Sequence, residues 1–241
     1  VIEPIDARPP QLAGRVVASQ DWRDVAFLHW RADPVVVAPL LPEGVAPDVF
    51  DGSTWVGLIG FQLARATLGP SPAIPYFGTF AEVNVRLYGV DTEGRRGVVF
   101  LSLEASRLAA VAAARAAFSI PYFWSRTSVE RAGGTARYAA SRHLGPGESR
   151  FSVTVGAERA EGDALDEFLT ARWALFTRRA GRTILLPNTH EPWELRNATL
   201  GELDDTLLAQ AGVPVVGAPD SVLFSPGVRA RFGSPRPVPT G

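Results

Sequence analysis

The chain contains no lysine: all 24 of its basic residues are arginines. Schiff-base catalysis needs a side-chain amine that can shed its proton near neutral pH, and a guanidinium cannot do so. Side-chain imine chemistry is therefore excluded. Cysteine is absent too, which removes disulfides, thiolate metal sites and cysteine nucleophiles. Methionine is also missing, a bias that fits the codon usage of a GC-rich genome. No apolar run is long enough to span a bilayer, and the first residues, VIEPIDARPPQL, carry no signal-peptide pattern, so a cytoplasmic protein is expected. A formal net charge of -1 leaves no electrostatic footprint for nucleic acid or anionic membrane.

What is present is a globular composition over 241 residues, 46% hydrophobic and 20% charged, enough to bury a substantial core. Proline content marks residues 1–13 as an extended arm and 233–241 (GSPRPVPTG) as a flexible tail, leaving 14–232 as one domain. β-branched and aromatic runs predict strands over 25–31, 54–63, 80–88 and 98–104, then a hairpin over 123–131 and 135–142 turning at Gly133-Gly134. Further strands are expected over 151–157, 182–186, 193–200 and 222–232. Helices are expected over the alanine-rich stretch 107–118, over 164–179 behind Asp163 as N-cap, and over 203–211. Many strands and few helices, without βαβ alternation, imply an α+β protein built on an antiparallel barrel or curved sheet with two or three helices packed outside.

Strand 80–88 is the most informative stretch. Alternation places Val83, Val85 and Leu87 on one face and Phe80, Glu82, Asn84, Arg86 and Tyr88 on the other. A carboxylate, an amide and a guanidinium between aromatics form either a solvated face or the polar wall of a cavity. The neighbouring strand, with Val98 and Phe100 on the same face as Ser102 and Glu104, argues for partial enclosure. Arg115 lies four residues after Val111 on an apolar helix face, so it needs a carboxylate, for which Glu82 or Glu104 is expected. That pair is either a structural lock or part of an anion site. His29 shares parity with Val25 and Phe27 and points to an apolar surface. No two of His29, His143 and His190 have metal-ligand spacing, and neither a GxSxG elbow nor a phosphate loop occurs. No metal and no cofactor are expected.

The strings FLHW (27–30), LLPEGVAPDVFDGSTWVGLIGFQL (40–63), AEVNVRLYGV (81–90), GVVFLSLEA (97–105), AARAAFSIPYFW (113–124) and HEPWELRNATL (190–200) together resemble the YqjF-type family of uncharacterised bacterial proteins, within the acetoacetate-decarboxylase-like superfamily. The resemblance implies a cone-shaped antiparallel β-barrel with outer helices and a small-molecule cavity. Carried over from the decarboxylases, it implies that Arg23, eight residues before Arg31, is the active-site arginine, and that Glu82 of FAE is the pocket glutamate. It matches Arg115 to a helix arginine, and places the decarboxylases' Pro-Lys-Lys at Pro121, Tyr122 and Phe123. Both lysines are thus replaced, and a second pocket glutamate falls near Gly57.

Together these readings give Glu82 as candidate base and Tyr122 as candidate acid or carbonyl anchor. Arg23, His29, Asn84, Arg86, Glu104 and Arg115 are candidate ligand contacts. The expected partner is a small carboxylate, carbonyl or enol compound, and self-association stays open. The alternative is a non-catalytic binding or structural module that kept the cavity.

Overall fold

Alternating β-branched and aromatic residues form thirteen strands in the computed structural model, which describes residues 1–159 and 163–239, without the side chains of 113, 114, 117 and 118. The strands are β1 (Ala18–Ala32), β2 (Val45–Pro47), β3 (Thr54–Leu68), β4 (Phe80–Asp91), β5 (Arg96–Ala105), β6 (Tyr122–Ala132), β7 (Thr135–Arg142), β8 (Glu148–Glu158), β9 (Ala174–Arg179), β10 (Arg182–Thr189), β11 (Arg196–Asp205), β12 (Ser221–Phe232) and β13 (Arg236–Pro237). Helices α1 (Pro34–Val37), α2 (Leu108–Phe118), α3 (Ala164–Thr170) and α4 (Leu207–Gln210) interrupt them. None of these helices is long and apolar enough to cross a membrane.

All thirteen strands belong to one sheet. Pairing is antiparallel except where β5 runs parallel to β6 and β9. The pairings close a circuit, β1–β3–β4–β5–β9–β10–β12 and back to β1. Strands β6, β7, β8 and β11 leave that circuit at β5, rejoin it at β12, and cover its back. There Val83, Val85 and Leu87 of β4 share a core with Tyr138 of β7, Phe151 and Val153 of β8, Val37 of α1 and Leu207 and Leu208 of α4. The back is thus covered by strands and two short helices rather than by the long helices. Gly60 makes the close approach feasible: a Cβ there would come within 2.5 Å of the Tyr138 ring.

The two longer helices lie on the opposite face. Val111 of α2 packs with Phe61, Phe80 and Ala105, and Phe168 and Leu169 of α3 pack with Trp55, Tyr88 and Val98. Alanine content explains α2, which ends at Ser119 in a left-handed cap with φ 54°. The helix expected over 164–179 stops at Thr170, and residues 174–179 form β9 instead. Gly181, which reads as a helix stop, is half of a two-residue hairpin: Ala180 and Gly181 have φ 48° and 77° and join β9 to β10. Pairing with β5 and β10 overrides the helical spacing of Phe168, Leu169 and Phe176. The helix expected over 203–211 likewise shrinks to α4, because β11 pairs with β8 as far as Asp205.

The ends are more ordered than their proline content suggests. The arm docks through Glu3 N to Gly94 O, Trp173 Nε1 to Asp6 O and Thr189 Oγ1 to Pro10 O. In the expected tail, β13 pairs with β10, and Val238 is buried. Residues 240–241 lie outside the described residues.

Candidate functional site

Period-two alternation along β3 and β4 puts Ile59, Phe61 and Leu63 and then Phe80, Glu82, Asn84 and Arg86 on one concave face. That face lines a cavity of about 470 Å³, whose other walls come from Trp22 and Phe27 of β1, Val98, Phe100 and Leu103 of β5, Ala109 and Ala110 of α2, and Trp193. The walls are mostly apolar, so the few polar groups among them stand out.

Glu82 is buried and accepts two hydrogen bonds, from Asn84 Nδ2 at 3.0 Å and from Tyr122 Oη at 2.8 Å. Burial pushes its carboxyl up to about 7, against the opposing pull of those two donors. Tyr122 lies on the cavity wall beside it. Burial and the adjacent carboxylate hold its phenol well above the usual value, so Tyr122 remains a proton donor. Among the described residues, Asn84 Oδ1 is buried without a partner.

Arg86 is the half-buried residue in an otherwise buried strand. Its Nε donates to Tyr88 Oη at 3.0 Å and its Nη2 to the Leu169 carbonyl at 2.9 Å. Arg172, just beyond α3, also lines the cavity. It donates to the Phe168 carbonyl and to Asp48, while its Nη2 is buried without a partner among the described residues. Asp48 serves Arg96 as well, so one carboxylate answers two guanidiniums.

His190 closes this end, packed among Trp22, Trp173 and Trp193. Its Nδ1 lies 2.6 Å from the Glu191 carbonyl, an acceptor, so Nδ1 carries the proton and Nε2 is the ring's acceptor. Burial lowers the imidazole to about 4, which keeps it neutral. Arg172, His190 and Trp193 come from connections far apart in sequence. In the sequence Trp193 opens the strand expected over 193–200, His190 carries no metal-ligand spacing, and Arg172 lies inside the helix expected over 164–179.

The remaining candidates lie elsewhere. His29 is fully buried behind the cavity, with Nε2 2.6 Å from Tyr88 Oη. Burial, aided by Arg86, holds it well below the usual imidazole value. Arg23 is half exposed and pairs with Asp21. Glu104 faces the back layer, because a bulge in β5 opposes Val85 to Ser102 but Arg86 to Phe100 and leaves Leu101 unpaired. The bulge turns Leu103 into the cavity and Glu104 away from it. There Glu104 receives Ser125 Oγ at 2.5 Å and Arg142 Nη2 at 2.8 Å.

Arg115 meets neither expected carboxylate. It is exposed, with its guanidinium carbon 5.9 Å from the Phe123 ring, and the partner of buried Glu104 is the half-buried Arg142. Arg115→Ala should therefore change stability by no more than about 0.5 kcal/mol. Arg142→Ala, which strands a fully buried carboxylate, should cost about 3 kcal/mol or more. Urea unfolding of the two variants at neutral pH checks the assignment; equal losses would contradict it.

Comparison with known proteins assigns the chain. The profile of DUF2071, described as "Uncharacterized conserved protein (COG2071)", matches residues 19–229. The chain belongs to the DUF2071 family. A relative in Bacillus subtilis (strain 168), the "Uncharacterized protein YqjF", is 33% identical over 186 residues, 76% of each chain. Solved structures share the fold of this DUF2071 member. An acetoacetate decarboxylase-like enzyme from Sphingomonas wittichii RW1 superposes with a TM-score of 0.63 at 16% identity, covering 95% of both chains. A structure from studies of acetoacetate decarboxylase gives 0.66 at 11% identity, covering 93% of this chain and 90% of the other. The fold is that of acetoacetate-decarboxylase-like enzymes, carried here by a sequence without lysine. Among the described residues no three His, Asp or Glu side chains gather as metal ligands.

Proposed function

We propose that this DUF2071 protein is an acid–base enzyme acting on a small carbonyl or enol compound held inside a barrel formed by the closed strand circuit. The observation that carries the reading is the hydrogen bond between Tyr122 and Glu82 within an apolar cavity. A carboxyl titrating near 7 is matched to proton abstraction at neutral pH, since enough of it is ionised and its conjugate acid is not too strong. A carbonyl entering between the two groups receives the phenol's hydrogen bond in place of the carboxyl. Glu82 then takes the proton from the adjacent carbon. The electrons of the broken C–H bond form the enolate, whose oxygen is stabilised by Tyr122, and returning the proton completes an isomerisation or an exchange. Arg86 supplies a cation for a substrate carboxylate. Neutral His190 offers Nε2 as an acceptor to a ligand hydroxyl.

A direct test is exchange of α-protons for deuterium in a panel of small ketones and keto acids, followed by NMR in D₂O. Wild-type protein should accelerate exchange of at least one member. Glu82→Gln should lower that rate by a factor of about 10²–10⁴, the usual contribution of a positioned base. Tyr122→Phe should slow it less, because it removes a donor and leaves the base. Exchange no faster than buffer, or unaltered by Glu82→Gln, would reject the assignment.

A further inference from the structure

The polar groups of the cavity form two poles, and their own partners hold these poles apart. Glu82 leans from β4 towards β6, where Tyr122 donates to it. Arg86, four residues further along the same strand, leans the other way. Its guanidinium carbon lies 5.5 Å from the Phe27 ring on β1, and Tyr88 and Leu169 fix its nitrogens. Strand order here is β1–β3–β4–β5–β6, so the two heads sit on opposite sides of β4. Four residues of strand separate the two Cα atoms by about 13 Å, and with the heads diverging sideways the poles stand roughly that far apart or more. The charges are correspondingly independent. Arg86 makes no ion pair among the described residues, and the groups that set the Glu82 carboxyl are burial, Asn84, Tyr122 and Glu104, with no arginine.

Arg172 enlarges the cationic pole. It lines the cavity, shares Asp48 with Arg96, and keeps a buried Nη2 that has no partner among the described residues. A buried guanidinium nitrogen without an acceptor is costly, and a ligand anion would satisfy it. Between the poles β4 carries Asn84, which donates to Glu82, while the cavity walls are otherwise mostly apolar, including Phe27, Ile59, Phe61, Phe100, Leu103 and Trp193.

Building on the acid–base reading above, we infer that the ligand is two-ended: a carboxylate held by Arg86 and Arg172, and a carbonyl at Glu82 and Tyr122, joined by an apolar body of roughly six to ten carbons that spans the gap. A keto acid with adjacent groups reaches one pole and leaves the other empty. Chain length therefore selects the substrate, and the length is set by the spacing of residues 82 and 86 on one strand.

Calorimetric titration of the full chain tests this with methyl-ketone carboxylates of increasing spacer length, beginning with acetoacetate, and with plain alkanoates of matching length. Kd should fall at least tenfold from acetoacetate to the spanning keto acid. Arg86→Gln should weaken every carboxylate by about tenfold, and Arg86→Lys, which keeps the charge, should recover part of the loss. Tyr122→Phe should weaken the spanning keto acid and leave the plain alkanoate of equal length unchanged. Acetoacetate binding as tightly as the longer compounds, indifference to Arg86→Gln, or no binding by any member would each overturn the two-ended ligand. The failures separate: length-independent binding that still responds to Tyr122→Phe removes only the two-ended ligand. Length-dependent binding through Arg86 that ignores both Tyr122→Phe and Glu82→Gln removes the carbonyl pole and, with it, the acid–base reading.

Discussion

Replacing Asp48 by alanine should destabilise the protein by about 3–5 kcal/mol, the cost of stranding a buried charge. Asp48 is 2% exposed and joins Arg172, itself 5% exposed, to Arg96. Without it, two guanidiniums are left with no carboxylate between them, and Arg172 loses the acceptor 2.5 Å from its Nη1. Arg172 also holds the Phe168 carbonyl at the end of α3 and lies 4.2 Å from the Phe168 ring, so the loss should spread to the helix that closes one side of the cavity. Asp48→Asn should cost less, since it keeps one acceptor oxygen. Chemical unfolding at pH 7 measures both. A loss below about 1 kcal/mol for Asp48→Ala would mean that water reaches the cluster.

Glu82→Gln carries the opposite sign, and its effect depends on pH. The folded-state value near 7 lies above the ordinary 4.5. Below about pH 4.5 both folded and unfolded chains hold the proton, and the native state is at its best with respect to this group. Between 4.5 and 7 the unfolded chain releases the proton while the folded chain retains it, so stability falls as pH rises. The fall is complete above the folded value and amounts to about 3 kcal/mol for a shift of this size. Glutamine cannot ionise. The variant should therefore gain up to about 3 kcal/mol on wild type between pH 4 and pH 8, while losing the proposed proton abstraction. A stability difference that stays flat with pH would show an ordinary, solvated carboxylate. A site residue whose removal stabilises the fold is the pattern expected where burial is maintained for chemistry.

Much of the site was legible in β4, because strand parity alone puts Glu82, Asn84 and Arg86 on one face and Val83, Val85 and Leu87 on the other. Tyr122 was legible only through the family resemblance; nothing in the pattern of SIPYFW places a phenol beside Glu82. Glu104 was misplaced by one unpaired residue. The run FLSLE contains no glycine or proline to announce a bulge, and a single extra residue reverses every side chain beyond it. Arg115 was misjudged because an alanine-rich helix has little apolar contrast around its circumference: Leu108, on the same nominal face, is exposed as well. Arg172 and His190 belong to connections whose place depends on the whole circuit closing, and local sequence carries no record of that. The closing circuit also made β9 a strand, through pairing with β5 and β10, where the spacing of Phe168, Leu169 and Phe176 reads as a helix.

The most direct measurement is a carboxyl NMR titration of Glu82, assigned by loss of its signal in Glu82→Gln and repeated in Tyr122→Phe. A buried carboxyl stabilised as the anion by the Tyr122 hydroxyl should titrate near 7 in wild type and higher once that hydroxyl is removed. A midpoint near the ordinary 4.5, unmoved by Tyr122→Phe, would contradict the buried carboxyl–phenol pair on which the proposed chemistry depends.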